Sequence, residues 1–248
     1  MYKNFIFDLY GTLIDIRTNE EKASLWRKMS YICTSYGIKK KPAELKAAFE
    51  EIVRGETERL KERTPYPEIR IEDVFLKLAG TGALAVDADE MPAGVNADEG
   101  SGLPACRAFA PEALSRAFRA ESIERLRLFP GVLRMLSEIK KSGGKIYLLS
   151  NAQRIFAETE MEICGIAGCF DGTVISSDEG ISKPSPDFFE IPFERFALKK
   201  EESVMIGNDL FTDINGAAGA GIDAVLVNTL PGENDIAAIL NIMLAKRK

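Results

Sequence analysis

The chain has 248 residues, 46% of them hydrophobic and 28% charged, which is an ordinary balance for a globular protein with a sizeable core. Its formal net charge of −6 argues against broad nucleic-acid binding, because that needs a basic face. The chain contains no histidine, which excludes Ser-His-Asp and Cys-His catalysis and every histidine-ligated zinc or iron site.

The first predicted element is a short buried strand. Residues 4–9 (NFIFDL) form an apolar run that contains Asp8, and Gly11 follows. Further apolar runs and the helical patterns between them alternate along the second half of the chain: runs at 145–150, 173–176, 203–207 and 224–228, helices at 132–141, 155–164, 187–197 and 213–220. Strands that alternate with helices of this length predict an α/β fold with a doubly wound parallel sheet.

Helical patterns replace the strand pattern after the first strand. Thr18 and Glu21 have the spacing of a capping box. Three apolar stripes at helical spacing follow: Leu25, Met29, Ile32 and Tyr36; Leu45, Phe49 and Ile52; Ile71, Val74, Phe75 and Leu78. A fourth helix is predicted over 111–126. The pattern predicts an α/β core (1–16 and 128–248) interrupted by a helical cap domain (17–127), within which 79–106 is an irregular loop.

Four separated segments place polar groups at the end of a predicted strand or at the start of the next helix: 7–13, 149–152, 182–184 and 207–213. The carboxyl ends of the strands of a doubly wound sheet meet at one crevice, where ligands bind. We therefore expect four side chains to converge, with Asp213 at the edge of their cluster: Asp8, Ser150, Lys183 and Asp209.

These residue types favour phosphoryl transfer. Asp8 can attack phosphorus and form an aspartyl phosphate. A carboxylate that attacks a phosphate dianion needs its charge repulsion cancelled, and Mg²⁺ does this with few protein ligands. The predicted direct ligands are Asp8, Asp209 and the carbonyl of Tyr10, with Asp213 close by.

The remaining groups of the predicted site serve the phosphoryl oxygens and the loop of the nucleophile. Lys183 supplies a positive charge, and Ser150 with the amides of Asn151 and Ala152 supplies hydrogen bonds. Thr12 supports the loop after Asp8, and Gly11 permits its tight turn.

The four motifs together, in this order and covering nearly the whole core, resemble the haloacid dehalogenase superfamily, in the subfamily with a helical cap inserted after the first strand. The resemblance implies that Asp8 is the nucleophile and that Ser150 and Lys183 bind phosphate and balance charge. It also implies that Asp209 and Asp213 form the acidic pair of a magnesium site. The expected activity is that of a phosphatase acting on a small phosphorylated metabolite.

Tyr10 departs from the phosphatase pattern, which has a general acid and base Asp two residues after the nucleophile. Tyrosine there resembles the true haloacid dehalogenases, which need no metal but do not keep a fully acidic fourth motif. Because two carboxylates beside Asp8 would repel it without a cation, Asp209 and Asp213 favour the phosphatase. A metal-independent dehalogenase and a non-catalytic phosphate-binding protein remain the alternatives.

Several residues keep two interpretations. Asp15 and Arg17, near the boundary of the predicted cap, are either structural or in contact with a leaving group. Lys39–Lys41 is either solvated or in contact with substrate.

Composition also bears on location and assembly. Four scattered cysteines without a CxxC pair, no signal peptide and no apolar run of membrane-spanning length predict a cytoplasmic protein that does not bind membranes. We expect a monomer or a weak homodimer.

Overall fold

The structure is a computed structural model, and it describes residues 2–81 and 110–227. The described chain divides into two compact units. Unit 1 comprises the residues up to Arg17, a short segment Arg63–Glu68, and the residues from Glu124 onwards, whereas unit 2 comprises Thr18–Glu62 and the residues from Ile69 to Ile123. Most of the predicted irregular loop at 79–106 lies outside the described residues, although Ala79 and Gly80 belong to a helix.

A five-stranded parallel sheet forms the centre of unit 1. Its strands are short and close to their predicted positions: β1 (Asn4–Phe7), β4 (Lys145–Ser150), β5 (Gly172–Ile175), β6 (Ser203–Gly207) and β7 (Asp223–Leu226). The chain leaves β1 in one direction for β4 and β5 and in the other for β6 and β7, which confirms the doubly wound α/β fold.

Helices follow the strands of unit 1, and apolar side chains pack on both faces of the sheet. The helices are α5 (Val132–Lys141), α6 (Arg154–Ile163), α7 (Ser176–Glu179), α8 (Pro186–Phe196) and α9 (Gly216–Gly219). Two 3₁₀ turns, Ala167–Cys169 and Lys200–Glu202, and a π-helical stretch, Leu210–Asn215, complete the unit. The helix predicted at 213–220 is therefore partly wrong, since its first turns have π geometry and begin at Leu210.

Unit 2 is helical and is built from α1 (Ala23–Ser35), α2 (Pro42–Lys61), α3 (Ile71–Thr81) and α4 (Ala110–Ser122). Residues of the predicted stripes lie in its core, together with Trp26 and Phe118, which were not predicted. Neighbouring rings from the four helices have centroids 5.1–5.9 Å apart: Trp26, Phe49, Phe75 and Phe118. The predicted capping box is wrong. Thr18 ends a strand and α1 begins at Ala23.

A two-stranded sheet of β2 (Ile14–Thr18) and β3 (Ile123–Leu128) was not predicted. The fourth helix, predicted over 111–126, ends at Ser122 because the sequence then changes to an alternating pattern. Leu126 and Leu128 pack against the core, while Arg125 and Arg127 point to Asp15 on β2. This alternation is the period of a strand and not of a helix. Among the described residues, no helix is long and apolar enough to cross a membrane.

Candidate active site

The predicted site residues lie at the carboxyl ends of β1, β4 and β6. Asp8 directly follows β1, Ser150 ends β4, and Asp209 comes two residues after β6. Strands β1 and β6 are neighbours in the sheet, and the strand order reverses between them. A crevice at this reversal is the usual ligand site of doubly wound sheets.

Lys183 joins two carboxylates at the centre of this cluster. Its Nζ lies 2.7 Å from Oδ1 of Asp8 and 2.6 Å from Oδ1 of Asp213. The three side chains are only 2%, 10% and 1% exposed, respectively. Burial disfavours the ammonium, but the two carboxylates outweigh it and raise the pKa of Lys183 above its ordinary value. Lys183 is therefore a fixed positive charge beside the predicted nucleophile.

Asp213 lies within the cluster and not at the edge, where the sequence placed it. Oδ1 of Asp213 contacts Lys183, and Oδ2 accepts a hydrogen bond from the amide of Asp209 at 3.0 Å. Burial raises the pKa of Asp213, and Lys183 opposes that rise. Space for the carboxylate comes from Gly207, where a Cβ would lie 2.2 Å from Oδ2 of Asp213. The predicted metal role of Asp213 stays a prediction.

Asp209 starts the π-helical stretch as its N-cap. Oδ1 accepts the amides of Phe211 at 2.9 Å and Thr212 at 2.6 Å. These bonds to Thr212 and Phe211 lower the pKa of Asp209, against the opposing effect of burial. Asp209 is thus held as a carboxylate in a fixed orientation at the mouth of β6.

Two hydroxyl groups flank the carboxylate of Asp8. Ser150, which is fully buried, lies with Oγ 3.4 Å from Oδ1 of Asp8. Thr12 lies with Oγ1 3.2 Å from Oδ2 of Asp8 and 3.0 Å from Oδ1 of Asn208. Gly11 has a φ of +82°, and a Cβ there would lie 2.6 Å from Nδ2 of Asn208. The turn after Asp8 therefore requires glycine for both conformation and space.

The loop after β4 differs in one respect from the prediction. The side chain of Asn151 makes two hydrogen bonds to the backbone of Lys183. Its Nδ2 donates to the Lys183 carbonyl at 3.0 Å, and its Oδ1 accepts from the Lys183 amide at 2.8 Å. The amide of Ala152, which we expected to bind phosphoryl oxygens, instead donates to Oγ of Ser176 at 2.9 Å. Phosphate binding by the amide of Asn151 stays a prediction.

Tyr10 packs its ring against the core and donates its hydroxyl to the carboxylate of Glu160. Glu160 lies on α6 and is 1% exposed. Glu160 is not among the predicted site residues, although the sequence contains one signal of it. It follows Phe156 by four positions and Ala157 by three, which places a carboxylate on the apolar face of a helix.

Asp15 is held in an ion-pair network with two arginines of β3. Its carboxylate lies 2.7 Å from Nη2 of Arg125 and 2.9 Å from Nε of Arg127. Burial opposes ionisation, but hydrogen bonds from both arginines hold the pKa of Asp15 below its ordinary value. Arg17 pairs with Glu124 at 3.1 Å. These contacts support the structural interpretation of Asp15 and Arg17.

The donor set suits magnesium in its chemistry. Asp8, Asp209 and the Tyr10 carbonyl offer only oxygen atoms, which Mg²⁺ prefers, and Mg²⁺ keeps several waters when it binds to proteins. Within residues 2–81 and 110–227, no three or more His, Cys, Asp or Glu side chains are grouped to hold a metal. A magnesium ion here would therefore have two acidic ligands, the backbone carbonyl, and oxygens of water or phosphate.

Comparison with known sequences gives a consistent result. The model of one family, haloacid dehalogenase-like hydrolase, matches residues 2–221. A glyceraldehyde 3-phosphate phosphatase of Methanothermobacter thermautotrophicus is 38% identical over 42% of this chain and 46% of its own length. A ribulose-1,5-bisphosphate 5-phosphatase of Halopiger xanaduensis is 30% identical over 46% and 48%. A phosphoserine phosphatase of Thermus thermophilus is 32% identical over 46% of both chains. The chain thus spans just under half the length of these curated relatives.

Solved structures share the fold at low sequence identity. A 2-haloacid dehalogenase of Pseudomonas syringae pv. tomato is similar over 99% of this chain and 100% of its own, with a TM-score of 0.63 and 20% identity. An HAD phosphatase of Thermococcus onnurineus is similar over 97% of both chains, with a TM-score of 0.57 and 17% identity. Because both activities occur on this fold, the choice between them depends on the site.

Proposed function

Since the chain belongs to the haloacid dehalogenase-like hydrolase family and is therefore a hydrolase, we propose that it is a magnesium-dependent phosphatase with Asp8 as its nucleophile. The observation that carries the proposal is the buried group in which Lys183 bridges Asp8 and Asp213. A fixed ammonium beside the attacking carboxylate offsets the negative charge of an incoming phosphoryl group. Asp209 adds an oriented carboxylate at the same strand edge.

The proposed reaction has two steps. A carboxylate oxygen of Asp8 forms a bond to phosphorus while the bond from phosphorus to the leaving oxygen breaks, and the leaving oxygen takes up a proton from solvent. A water molecule then loses a proton to solvent and attacks phosphorus, the bond to Asp8 breaks, and inorganic phosphate leaves with the Asp8 carboxylate restored. Lys183 and Ser150 hold that carboxylate in place in both steps.

Magnesium, held by Asp8, Asp209 and the Tyr10 carbonyl, would cancel charge repulsion between the nucleophile and the phosphate dianion. Two acidic side chains at the end of β6 favour a cationic partner, because carboxylates placed beside Asp8 repel it. This supports a phosphatase over the metal-independent dehalogenase that Tyr10 suggests.

The proposed substrate is a small phosphorylated metabolite. Three curated relatives with 30–38% identity carry phosphatase names, and each name specifies a small phosphorylated compound. The matched stretches cover less than half of those proteins, so the compound itself is not carried over.

A panel of phosphorylated metabolites assayed for phosphate release, with and without Mg²⁺, tests the proposal. We expect Mg²⁺-dependent release from at least one compound and its loss in Asp8→Asn. Halide release from a 2-haloacid in excess chelator would favour the dehalogenase. Phosphate binding without turnover of any compound would favour a non-catalytic protein.

A further inference from the structure

The chain between α2 and α3 contributes to unit 1 through the returning segment, defined as Arg63–Glu68. Its backbone pairs with the residues just before Lys183. The amide of Ser182 donates to the carbonyl of Tyr66 at 2.9 Å, and the amide of Glu68 donates to the carbonyl of Gly180 at 3.1 Å. An antiparallel bridge joins Pro67 and Ile181 between these bonds. The segment is thus fixed against the loop that carries the catalytic lysine.

The Glu68 side chain reaches the other catalytic loop. Its Oε2 accepts a hydrogen bond from Oγ of Ser176 at 2.8 Å, and its Oε1 accepts one from Nε2 of Gln153 at 3.0 Å. Oγ of Ser176 in turn accepts the amide of Ala152 at 2.9 Å. Glu68 therefore contacts the loop that follows Ser150 in two ways, directly at Gln153 and through Ser176 at Ala152.

A carboxylate matters at this place because Ser176 has a single hydroxyl proton and is fully buried. Oγ of Ser176 also lies 3.2 Å from the carbonyl of Ala152, which competes for that proton. An ionised acceptor binds a hydroxyl more strongly than a carbonyl does. The hydroxyl proton of Ser176 is thus donated to Glu68 and not to the carbonyl of Ala152. The lone pairs of Ser176 Oγ then remain available to the amide of Ala152.

We propose that Glu68 is a positioning residue that sets the geometry of the phosphate-binding loop after β4. The proposal rests on the proposed phosphatase function, in which this loop presents Ser150 and the amide of Asn151 to the phosphoryl group. Glu68 acts through Ser176 and Gln153. It also acts on both catalytic loops, because the side chain of Asn151 is bonded to the backbone of Lys183.

Two substitutions at Glu68 separate geometry from charge. Glu68→Ala removes both acceptors and should lower kcat/KM by about 10- to 100-fold, the range expected when a positioning group is displaced by about 1 Å. Glu68→Gln keeps an oxygen acceptor for Ser176 but loses the charge, so its kcat/KM should lie between that of Glu68→Ala and that of the wild type. Glu62→Ala, at an exposed glutamate six positions earlier, is the control and should stay within about twofold of the wild type.

The inhibition constant of inorganic phosphate distinguishes positioning from a loss of folded enzyme. A smaller folded fraction lowers kcat but leaves KM and the inhibition constant unchanged. We expect both constants to rise in Glu68→Ala. Wild-type values of kcat/KM in Glu68→Ala, or a Glu68→Gln variant as impaired as Glu68→Ala, would overturn the proposal.

Amide hydrogen exchange at Ala152 tests the network without any assay of turnover. The exchange should be faster in Glu68→Ala than in the wild type and unchanged in Glu62→Ala. Equal protection in Glu68→Ala would refute the positioning role. A wild-type enzyme that hydrolyses no phosphate ester would instead refute the proposed function, while exchange at Ala152 would still decide the role of Glu68.

Discussion

Tyr10 has a phenol where the phosphatase pattern has a carboxylic acid, and the structure commits its hydroxyl to the carboxylate of Glu160. A hydroxyl that already donates to a buried side chain is a poor proton donor to a leaving oxygen. Asp15 does not replace it, because both of its oxygens are bound to Arg125 and Arg127. The second step, in which water must be activated, should therefore be slow.

Tyr10→Asp should raise turnover, most of all on alkyl phosphates, since a general acid or base is typically worth about 10²–10⁴ in rate. Wild-type enzyme should prefer aryl and acyl phosphates, whose leaving groups need little protonation. A burst experiment with an aryl phosphate, followed by trapping of the phosphoenzyme, measures both effects. Tyr10→Phe is the control, because it removes the hydroxyl without adding a carboxylate. The absence of a burst in wild type, together with a slower Tyr10→Asp, would contradict this account.

Gly207→Ala tests the placement of Asp213. The new Cβ would lie 2.2 Å from Oδ2 of Asp213, so the carboxylate must move and Lys183 must lose its alignment. We expect kcat/KM to fall by about 10²-fold, as for other displaced catalytic groups. Gly55→Ala, a helical position where a Cβ meets nothing within 4 Å, should leave kcat/KM unchanged and stabilise α2 by about 0.5–1 kcal/mol. Wild-type kinetics in Gly207→Ala would show that Asp213 is dispensable.

At the residue scale, motif spacing was enough to predict the cluster of Asp8, Ser150 and Lys183, because strand ends in a parallel sheet converge. It was not enough for the partners of Tyr10 and Ala152. Those depend on which way a side chain or an amide points once α6 and α7 are packed. Glu68 gave no signal at all, since its contact with Ser176 joins residues 108 positions apart.

Among the elements, the pair β2 and β3 depends on charge as well as on backbone pairing. Asp15 on β2 bonds two arginines of β3, and its pKa is lowered. A lowered carboxyl pKa means that the stabilisation is fully present above the ordinary value of 3.8 and is lost as the pH falls through the folded value.

Asp15→Asn should lower the free energy of unfolding by about 1 kcal/mol at pH 6, because the arginines are partly exposed and their ion pairs are weakened by solvent. The difference from wild type should shrink at pH 3. Urea unfolding of both proteins at the two pH values measures it, with Glu51→Gln at an exposed site of α2 as the control. A difference that is the same at pH 6 and pH 3 would rule out the ionised carboxylate as its cause.

Element boundaries in the core followed the sequence closely, and α5 was predicted at its observed limits. The predictions failed at two places. Residues 123–126 were predicted as the end of the fourth helix, but they belong to β3 and pair with β2, in keeping with the alternating pattern that follows Ser122. At Leu210–Asn215 the amide of Ile214 donates to the carbonyl of Asp209 five positions earlier, which is the spacing of a π-helix and is not revealed by sequence periodicity.

For the whole molecule, a net charge of −6 and two acidic residues at the end of β6 make cation binding the property to measure. Mg²⁺ at 100 times its Kd should stabilise the fold by about 2.7 kcal/mol, with a corresponding rise in Tm. Asp209→Asn should lose most of this rise and most of the turnover. Asp187→Asn, at an exposed position, should keep both. Full activity in excess chelator would contradict the magnesium requirement.

The sequence predicts two units from a change from alternating strands and helices to helices alone. It assigns all of 17–127 to the insertion, whereas unit 1 of the structure includes the returning segment. Nothing local distinguishes Arg63–Glu68 from a connection between two helices. Its membership in unit 1 comes from pairing with residues 180–182, more than 100 positions later.

Because of the returning segment, the insertion cannot be exchanged between relatives as one continuous piece of chain without also exchanging residues of unit 1. The chain passes between the units four times, after Arg17, Glu62, Glu68 and Ile123, and not twice. A chimaera that exchanged residues 18–123 with those of a relative would also exchange Glu68, and with it a support of the host's own catalytic loops. A chimaera that kept Glu68 together with the loops it contacts would need two additional crossovers inside the insertion, one on each side of Arg63–Glu68. A substitution at Glu68 would therefore need matching changes at Ser176 and Gln153, which belong to the same unit.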